Sequence, residues 1–519
     1  MFFADSPTGD FIIVVITLSV IIVSVYNWFY LHWNRRNVPC LQTDFSSLNE
    51  HLGIKFKHVY NLMKQNQWKH GGVFIQVTPI YVVRDLHLLK NIMTKDFQYF
   101  PHRGLYYNEK DDPLSCHIFN TSGPKWRRMR TNLSQIFTPG KLKSIFPLLL
   151  SCKEILIKKI ETEINRKIPF EAKTIADSFI GDVIESCVFG LDWQNFSEQS
   201  PIQQFGRKIF RRSRTRRVKG FIVDNFPKLG RILNIALIPK DASTFFLKIV
   251  EEAIDYRKKQ HIVRHDFLQV LTELRNEDGS YLKIEEIAAQ CFIFFLAGMS
   301  TSPTAISFAL YELAKNEDIQ ESVREEVGKV LEKYQNVITY EAIQEMKYLE
   351  QVLDETLRKY PPAAYLNRKC VKDYKVFGTD VVIEKGTTVV IPVLGIHHNE
   401  EFYPEPEKFD PERFNDTNKG LRESYAFIPF GEGPRICIGM RFGQIQSKLA
   451  LISLLRNFKF TINNRTQEPL KMKKSTLVLT AESGIWLNAN KLYLKNCFAH
   501  KRVIKFFDNN GPALSLHLS

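Results

Sequence analysis

The sequence predicts a mainly α-helical protein with small β-sheets, preceded by one N-terminal transmembrane helix. Three observations carry that expectation. Phe11 to Leu31 is a 21-residue stretch without a charge. Beyond it, long segments repeat apolar residues at helical spacing and only short runs are β-branched. No internal repeat and no Gly/Ser/Pro linker divides the rest of the 519 residues, so one large domain is expected.

The elements follow in chain order. At about 1.5 Å per residue, Phe11 to Leu31 is long enough to cross a bilayer core. Asp5 and Asp10 precede it and Arg35 and Arg36 follow, which sets the main body in the cytosol, with Trp28, Tyr30 and Trp33 suited to the interface. A cleaved signal peptide is disfavoured, because the basic n-region and the small-residue cleavage site are missing. The chain thus divides into an anchor over 1–32, a main domain over 33–490, and a tail over 491–519 to which no fold is assigned. Gly72 to Asp85 reads as two short strands around a Thr78-Pro79 turn. Helical patterns cover 124–137, 142–165, 171–190, 240–260, 284–316, 317–334, 341–359 and 440–458. Short strands are expected at 381–383, 387–391 and 476–488, the last with a turn at Glu482-Ser-Gly484.

Composition narrows the partners. Hydrophobic residues at 44% and charged residues at 24% suit a globular protein with a large core, and 39 Phe point to an aromatic-rich interior or ligand cavity. The formal charge of +15 favours anionic partners. Eight basic residues fall in the thirteen from Arg207 to Lys219, too many like charges for a stable helix and suited to anionic lipid headgroups. Nucleic acid is the lesser option, since no recognised nucleic-acid module accompanies the run. Eight cysteines lie at irregular spacing with no C-x-x-C pair, which argues against a disulfide framework or a zinc knuckle and for a reducing compartment.

One of those cysteines sits in Phe430-Gly-Glu-Gly-Pro-Arg-Ile-Cys-Ile-Gly439. A lone cysteine is usually a small buried hydrophobe. Here Gly433, Pro434 and Gly439 allow a tight loop, the amides after Cys437 are placed to donate to sulfur, and Arg435 adds a cation, a setting fit for a thiolate bound to haem iron. The pattern Phe-x-x-Gly-x-Arg-x-Cys-x-Gly resembles the ligand loop of the cytochrome P-450 superfamily. ETLRKYPP, NRKC-x-KDY and PFGEGPRICIGMRFG are similar to its microsomal, insect xenobiotic-metabolising branch.

The resemblance runs from about residue 33 to 490 and implies haem b (iron protoporphyrin) with Cys437 as the axial thiolate. Phe430 and Gly439 would bound its loop. Trp126 and Arg130, four apart in KWRRMR, match a pair contacting a haem carboxylate; Arg368 and Arg435 would do the same. Glu355-Thr-Leu-Arg358, alone readable as a solvated pair, would form with Arg413 a buried network that locks the ligand loop. In the 284–316 helix, Phe294, Ala297, Thr301 and Ala305 share a stripe that looks like the distal helix over the iron. Ala297 and Gly298 would leave room for dioxygen and Thr301 would organise water and protons. Ser300 departs from the family, which usually carries an acid there. Pro303 departs too, and is expected to kink the helix and free the Met299 carbonyl.

The implied activity is insertion of one oxygen atom from dioxygen into a lipophilic small molecule, in the endoplasmic reticulum membrane. No dinucleotide fingerprint or flavin module is evident, so electrons would come from NADPH–cytochrome P-450 reductase, with a cytochrome b-type protein as second donor. Lys125, Arg127, Arg128, Arg441 and Lys448 form the expected docking face. Two alternatives stand: a haem-thiolate isomerase or dehydratase, favoured only by Ser300, and a catalytically silent binder of haem or lipophiles.

Overall fold

The computed structural model describes residues 7–41, 49–75, 78–191, 200–210, 214–276 and 278–492. Pro7–Tyr30 is a helix, and its segment Asp10–Trp28 is exposed throughout and apolar and long enough to cross a bilayer. Three residues beyond that helix Trp33 is already buried, its indole donating to the Val73 carbonyl at 3.3 Å.

Nine strands occur among the described residues: β1 (His70–Ile75), β2 (Thr78–Val83), β3 (Phe170–Glu171), β4 (Leu366–Lys369), β5 (Tyr374–Lys375), β6 (Val382–Ile383), β7 (Thr388–Ile391), β8 (Phe458–Ile462) and β9 (Trp486–Lys491). They form three small sheets, ordered β1-β2-β7-β4, β3-β9-β8 and β5-β6. Thr78 and Pro79 open β2 and do not form the expected turn. Pro79 pairs with Phe74, while the ladder to β7 begins at Ile80, so the missing amide costs no bond there. The expected strands around Glu482-Ser-Gly484 are half found: the turn is there and β9 follows it, but no strand precedes it. Only from Trp486 does the chain pair on both sides, with β3 and β8, and Ala481 instead bridges Met472. The predicted 440–458 helix ends at Asn457, because Phe458 and Phe460 alternate into the core as β8.

The helices surround Ile284–Lys315, which packs on Ala172–Ile184, Lys240–Gln260 and Met440–Asn457. Pro303 lies inside this helix without interrupting it. The expected helix over 341–359 is two, Tyr340–Glu345 and Lys347–Lys359, separated by buried Met346. The Glu326 carboxylate accepts from the amides of Tyr348 and Leu349, at 2.7 and 2.9 Å, and starts the second. The basic run also differs from expectation, since helices Pro201–Phe210 and Arg214–Asn225 cover its described part. Arg216 donates to the Ile209 carbonyl, in the last turn of the first helix, and Lys219 to that of Ala236, in a loop beyond the second. Residues 211–213 of the run, and the tail from 493, lie outside the described residues.

Candidate active site

The loop that carries Cys437 is closed by its own backbone. Its Gly431 amide donates to Ile428, the Ile436 amide to Gly433 and the Cys437 amide to Phe430, at 3.0, 3.0 and 2.9 Å. Gly433 adopts φ +70°, and a Cβ there would stand 2.1 Å from the Met93 carbonyl oxygen, so only glycine fits. Cys437 is exposed. Even so, the surrounding loop removes enough water from the sulfur for burial to dominate and push the thiol up, against the Gly439 amide, Arg103 and Arg130, which favour the anion. The donors and cations expected from the sequence are present, but in this chain alone they do not outweigh burial.

Four arginines converge beside the loop. Arg435 is buried with its Nε, Nη1 and Nη2 donating to the carbonyls of Pro101, Ile118 and Thr121, at 2.9, 3.3 and 2.9 Å, and Trp126 lies 3.9 Å beneath it. It therefore acts first as a splint to the 101–121 segment. Trp126 packs on this guanidinium and on Phe97. Arg130 donates to the Ile436 carbonyl at 3.0 Å. Arg103, which the sequence reading missed, donates to the Arg435 and Phe119 carbonyls, both at 3.1 Å. Arg368 is 2% exposed, and its Nε has no partner.

Among the described residues none of these arginines pairs with a carboxylate. Burial lowers Arg368 to about 10 and, with Arg368 and Arg130 adding repulsion, Arg435 to about 9. Uncompensated buried cations call for an anion. Four guanidinium groups, one with an orphaned donor, beside an accessible cysteine fit a group that carries carboxylates and takes a thiolate ligand, as haem does.

Glu355 and Arg358 form a bidentate pair at 2.6 and 2.8 Å, both fully buried. Arg413 approaches Glu355 at 3.5 Å, as an ion pair without a hydrogen bond, and donates to the Glu405 carbonyl. Arg358 Nη1 donates to the carbonyl of His397, a residue the sequence reading did not single out. The His397 Nε2 accepts the Ile428 amide at 3.0 Å, so its proton sits on Nδ1 and is donated to the Arg358 carbonyl at 3.2 Å. Burial, aided by Arg358, holds His397 down at about 3 and hence neutral. The Lys347–Lys359 helix is thus fastened, through one imidazole, to the residue that starts the cysteine loop.

On the distal helix the stripe is divided. Phe294 and Ala305 are buried, the latter packing with Leu353, Leu357 and Phe430, whereas Ala297 is exposed and Thr301 half-buried. Gly298 does not open space beside Ala297: a Cβ there would meet Ile184 Cδ1 at 2.7 Å, so the glycine serves close packing against Ala172–Ile184. The Thr301 hydroxyl donates to Ala297 O at 2.8 Å and that of Ser300 to Leu296 O at 2.8 Å. The Thr304 hydroxyl likewise donates to Ser300 O at 2.9 Å, one residue beyond the Met299 carbonyl to which Pro303 has no amide to donate. Ser302 accepts from Gln446 at 2.7 Å, tying this helix to the one after Cys437. Of the expected docking cations, Arg127 and Arg441 are exposed, but Lys448 is buried and paired with Glu350 at 3.0 Å, which removes it from that face. Lys125 pairs with Glu109.

The family model described as Cytochrome P-450 matches residues 43–488. A probable cytochrome P-450 6a23 of Drosophila melanogaster is 41% identical over 89% of this chain and 95% of its own length. Cytochrome P-450 6A1 of Musca domestica is 37% identical over 94% of this chain and 99% of its own, and cytochrome P-450 6a2 of Drosophila melanogaster 36% over 93% and 99%. The chain belongs to the cytochrome P-450 family. It is an oxidoreductase of the monooxygenase type, and its family implies a haem with cysteine thiolate ligation.

Proposed function

We propose that this chain is a membrane-anchored monooxygenase of the endoplasmic reticulum. It oxidises a lipophilic small molecule with electrons from NADPH, delivered by NADPH–cytochrome P-450 reductase, with a cytochrome b-type protein as second donor. The net reaction consumes the substrate, dioxygen, two electrons and two protons, and returns a hydroxylated product and water. The carrying observation is the exposed Cys437 with its amide donor, set beside four arginines that no carboxylate balances among the described residues. Haem b, when bound, supplies the iron at which dioxygen is activated and one of its atoms transferred.

The chain's own residues supply the rest. Cys437 is the thiolate ligand, with the Gly439 amide as donor to sulfur and Phe430 closing the loop. Arg368, Arg130 and Arg103 hold the haem carboxylates, and Arg435 and Trp126 brace that group. The Glu355–Arg358–Arg413 network keeps the ligand loop in place. Ala297 lines the open side of the distal helix. With its proton already given to Ala297 O, the Thr301 hydroxyl offers lone pairs to a water and passes protons at Oγ1, with Ser300 as a weaker second relay.

The domain meets lipid through more than its anchor. Phe221, Phe226, Ile232 and Leu233 are exposed, and the helix that ends at Asn225 is tied to β2 by the 2.7 Å Thr78–Asn225 hydrogen bond. Phe74 of the adjoining β1 touches His32 at the anchor's end. Exposed aromatics on the anchor's side of the domain, alternating with basic residues, suit an anionic bilayer surface. Cys437→Ala tests the central assignment: the purified variant should lose the thiolate-type spectrum of its reduced carbonyl complex, and a retained spectrum would overturn it.

A further inference from the structure

Four consecutive residues behind the basic helices are gripped by side chains. Arg214–Asn225 and the next helix, Pro227–Ile232, meet at Phe226 as a hairpin, and the chain leaves it through Ile235-Ala-Leu-Ile238. The Ile235 carbonyl accepts from the Tyr106 hydroxyl at 3.0 Å and the Ala236 carbonyl from Lys219 at 3.1 Å. The amides of Leu237 and Ile238 both donate to Asp112 Oδ2, at 2.9 and 3.2 Å. Lys219 belongs to the hairpin itself, so of these bonds the ones that cross to the body come from Tyr106 and Asp112.

The two sides of this junction are fixed differently. On the body side the Ser115 hydroxyl accepts the Asn108 amide at 3.0 Å and donates to the Asp112 carbonyl at 2.6 Å. Further along the same segment, Ile118 donates its amide to Gln290 of the distal helix at 3.0 Å and accepts from Arg435 at 3.3 Å. On the hairpin side, Val223 and Ile235 join Tyr106 in a small apolar cluster separate from the main core, and Phe221, Phe226, Ile232 and Leu233 face outward. The 2.7 Å bond from Thr78 to Asn225 ties the hairpin's other end. A unit with so small a core of its own opens at lower cost than the helices beneath it. Asp112 is buried, and although burial raises its carboxyl to about 6, against the two amides and Lys219, it is anionic at neutral pH. An anionic oxygen that takes two amides is the strongest of the crossing ties. The junction lies between the apolar outer face and the segment that borders the distal helix and the ligand loop.

We propose that Asp112 is the clasp of a lid: the 214–238 hairpin opens as a unit when that carboxylate lets go of Leu237 and Ile238, and the opening sets how fast a lipophilic molecule passes from the bilayer to the site. The second half rests on the lipid-facing, lipophile-oxidising reading above. The experiment uses the full-length haem-loaded protein in lipid nanodiscs and compares wild type, Asp112→Ala and Asp112→Asn. Hydrogen exchange is followed segment by segment, and the haem absorbance reports association of a lipophilic N-aryl imidazole supplied in the lipid. In Asp112→Ala, exchange within 214–238 should quicken on the order of tenfold, as for one lost charge-assisted acceptor, with the rest of the domain unchanged. Association of the imidazole should quicken with it. Asp112→Asn keeps an oxygen where both amides point and should recover most of both effects. Unchanged exchange in 214–238, or faster exchange throughout the domain, would overturn the clasp, and faster local exchange with unchanged association would overturn the passage. If Asp112→Ala does not accumulate, Tyr106→Phe decides, since it keeps a ring in the small cluster and removes only the donor to Ile235; exchange equal to wild type there counts against the lid. Exchange in 214–238 does not depend on the axial ligand, so a thiolate spectrum that survives Cys437→Ala would sink the haem reading and leave the clasp to be judged separately.

Discussion

The loop around Cys437 and the middle of the Ile284–Lys315 helix face the same site but are built in opposite ways. In the loop, backbone amides and carbonyls close on one another, Gly433 admits no side chain, and a fully buried ion pair stands behind through His397. In the helix, Ala297 is exposed and the hydroxyls of Ser300 and Thr301 turn back onto their own carbonyls. The first region is fixed by covalent geometry and burial. The second holds groups whose lone pairs stay available. Holding a ligand rigidly and passing protons are different demands, and on the function proposed above the two regions would divide them.

If that division is right, damage to the loop should be structural and damage to the helix chemical. The largest effect is expected from Gly433→Ala, where the new methyl meets a backbone oxygen that cannot yield. This variant should accumulate with little bound haem, read as the ratio of haem to protein absorbance; near-normal haem content would show that the loop can relax. Next comes Glu355→Ala, which leaves Arg358 charged and unpaired in a fully buried position. Loss of about 3–5 kcal/mol is expected in denaturant unfolding, and a loss below about 1 kcal/mol would place the pair among weak surface bridges.

Acid should act on the same fastening. His397 and His117 are both held near 3, whereas an unfolded histidine takes a proton near 6.5. The unfolded chain therefore binds more protons between those values. The stability due to burying neutral rings is complete above about 6.5 and is lost progressively as pH falls toward 3. Unfolding midpoints followed from pH 7 to 4.5 should fall, and less steeply in His397→Gln. The smallest effect concerns the helix. Ser300→Glu supplies a group that stores a proton near neutral pH, which a hydroxyl cannot, and should raise product formed per NADPH consumed, with unfolding unchanged. Coupling measured with one substrate and a constant reductase ratio checks it. No change there, together with a silent Thr301→Ala, would mean that protons arrive elsewhere.

The same contrast governs what could be read without coordinates. The tight loop at Gly433, the i,i+3 spacing of Glu355 and Arg358, and the long apolar period of 284–316 are local features, and each stands close to where sequence reasoning put it. Arg103 is different: it meets Arg435 across 332 positions, from a His-Arg-Gly triplet with no motif around it. His397 looks like any residue of a His-His pair until Ile428 folds over it. The side of the helix to which Gly298 turns is decided by Ile184, and the start of β9 by partners on two other segments. The acceptor that restarts the chain after Met346 comes from Glu326, on the helix before it. Such outcomes depend on what arrives from far along the chain, and short-range pattern does not carry them.

Trp33 has a consequence for how the protein meets other molecules. Between the last turn of the apolar helix at Tyr30 and a side chain locked under Val73 lie two residues, and Arg36 is pinned to Glu384 at 2.6 Å. Two residues reach roughly 7 Å when fully extended. With its first helix in a bilayer, the domain has no leash on which to roam. On the anchored reading it would ride at the lipid surface in a nearly constant attitude, so that its encounters would become a search in two dimensions among molecules that share the sheet.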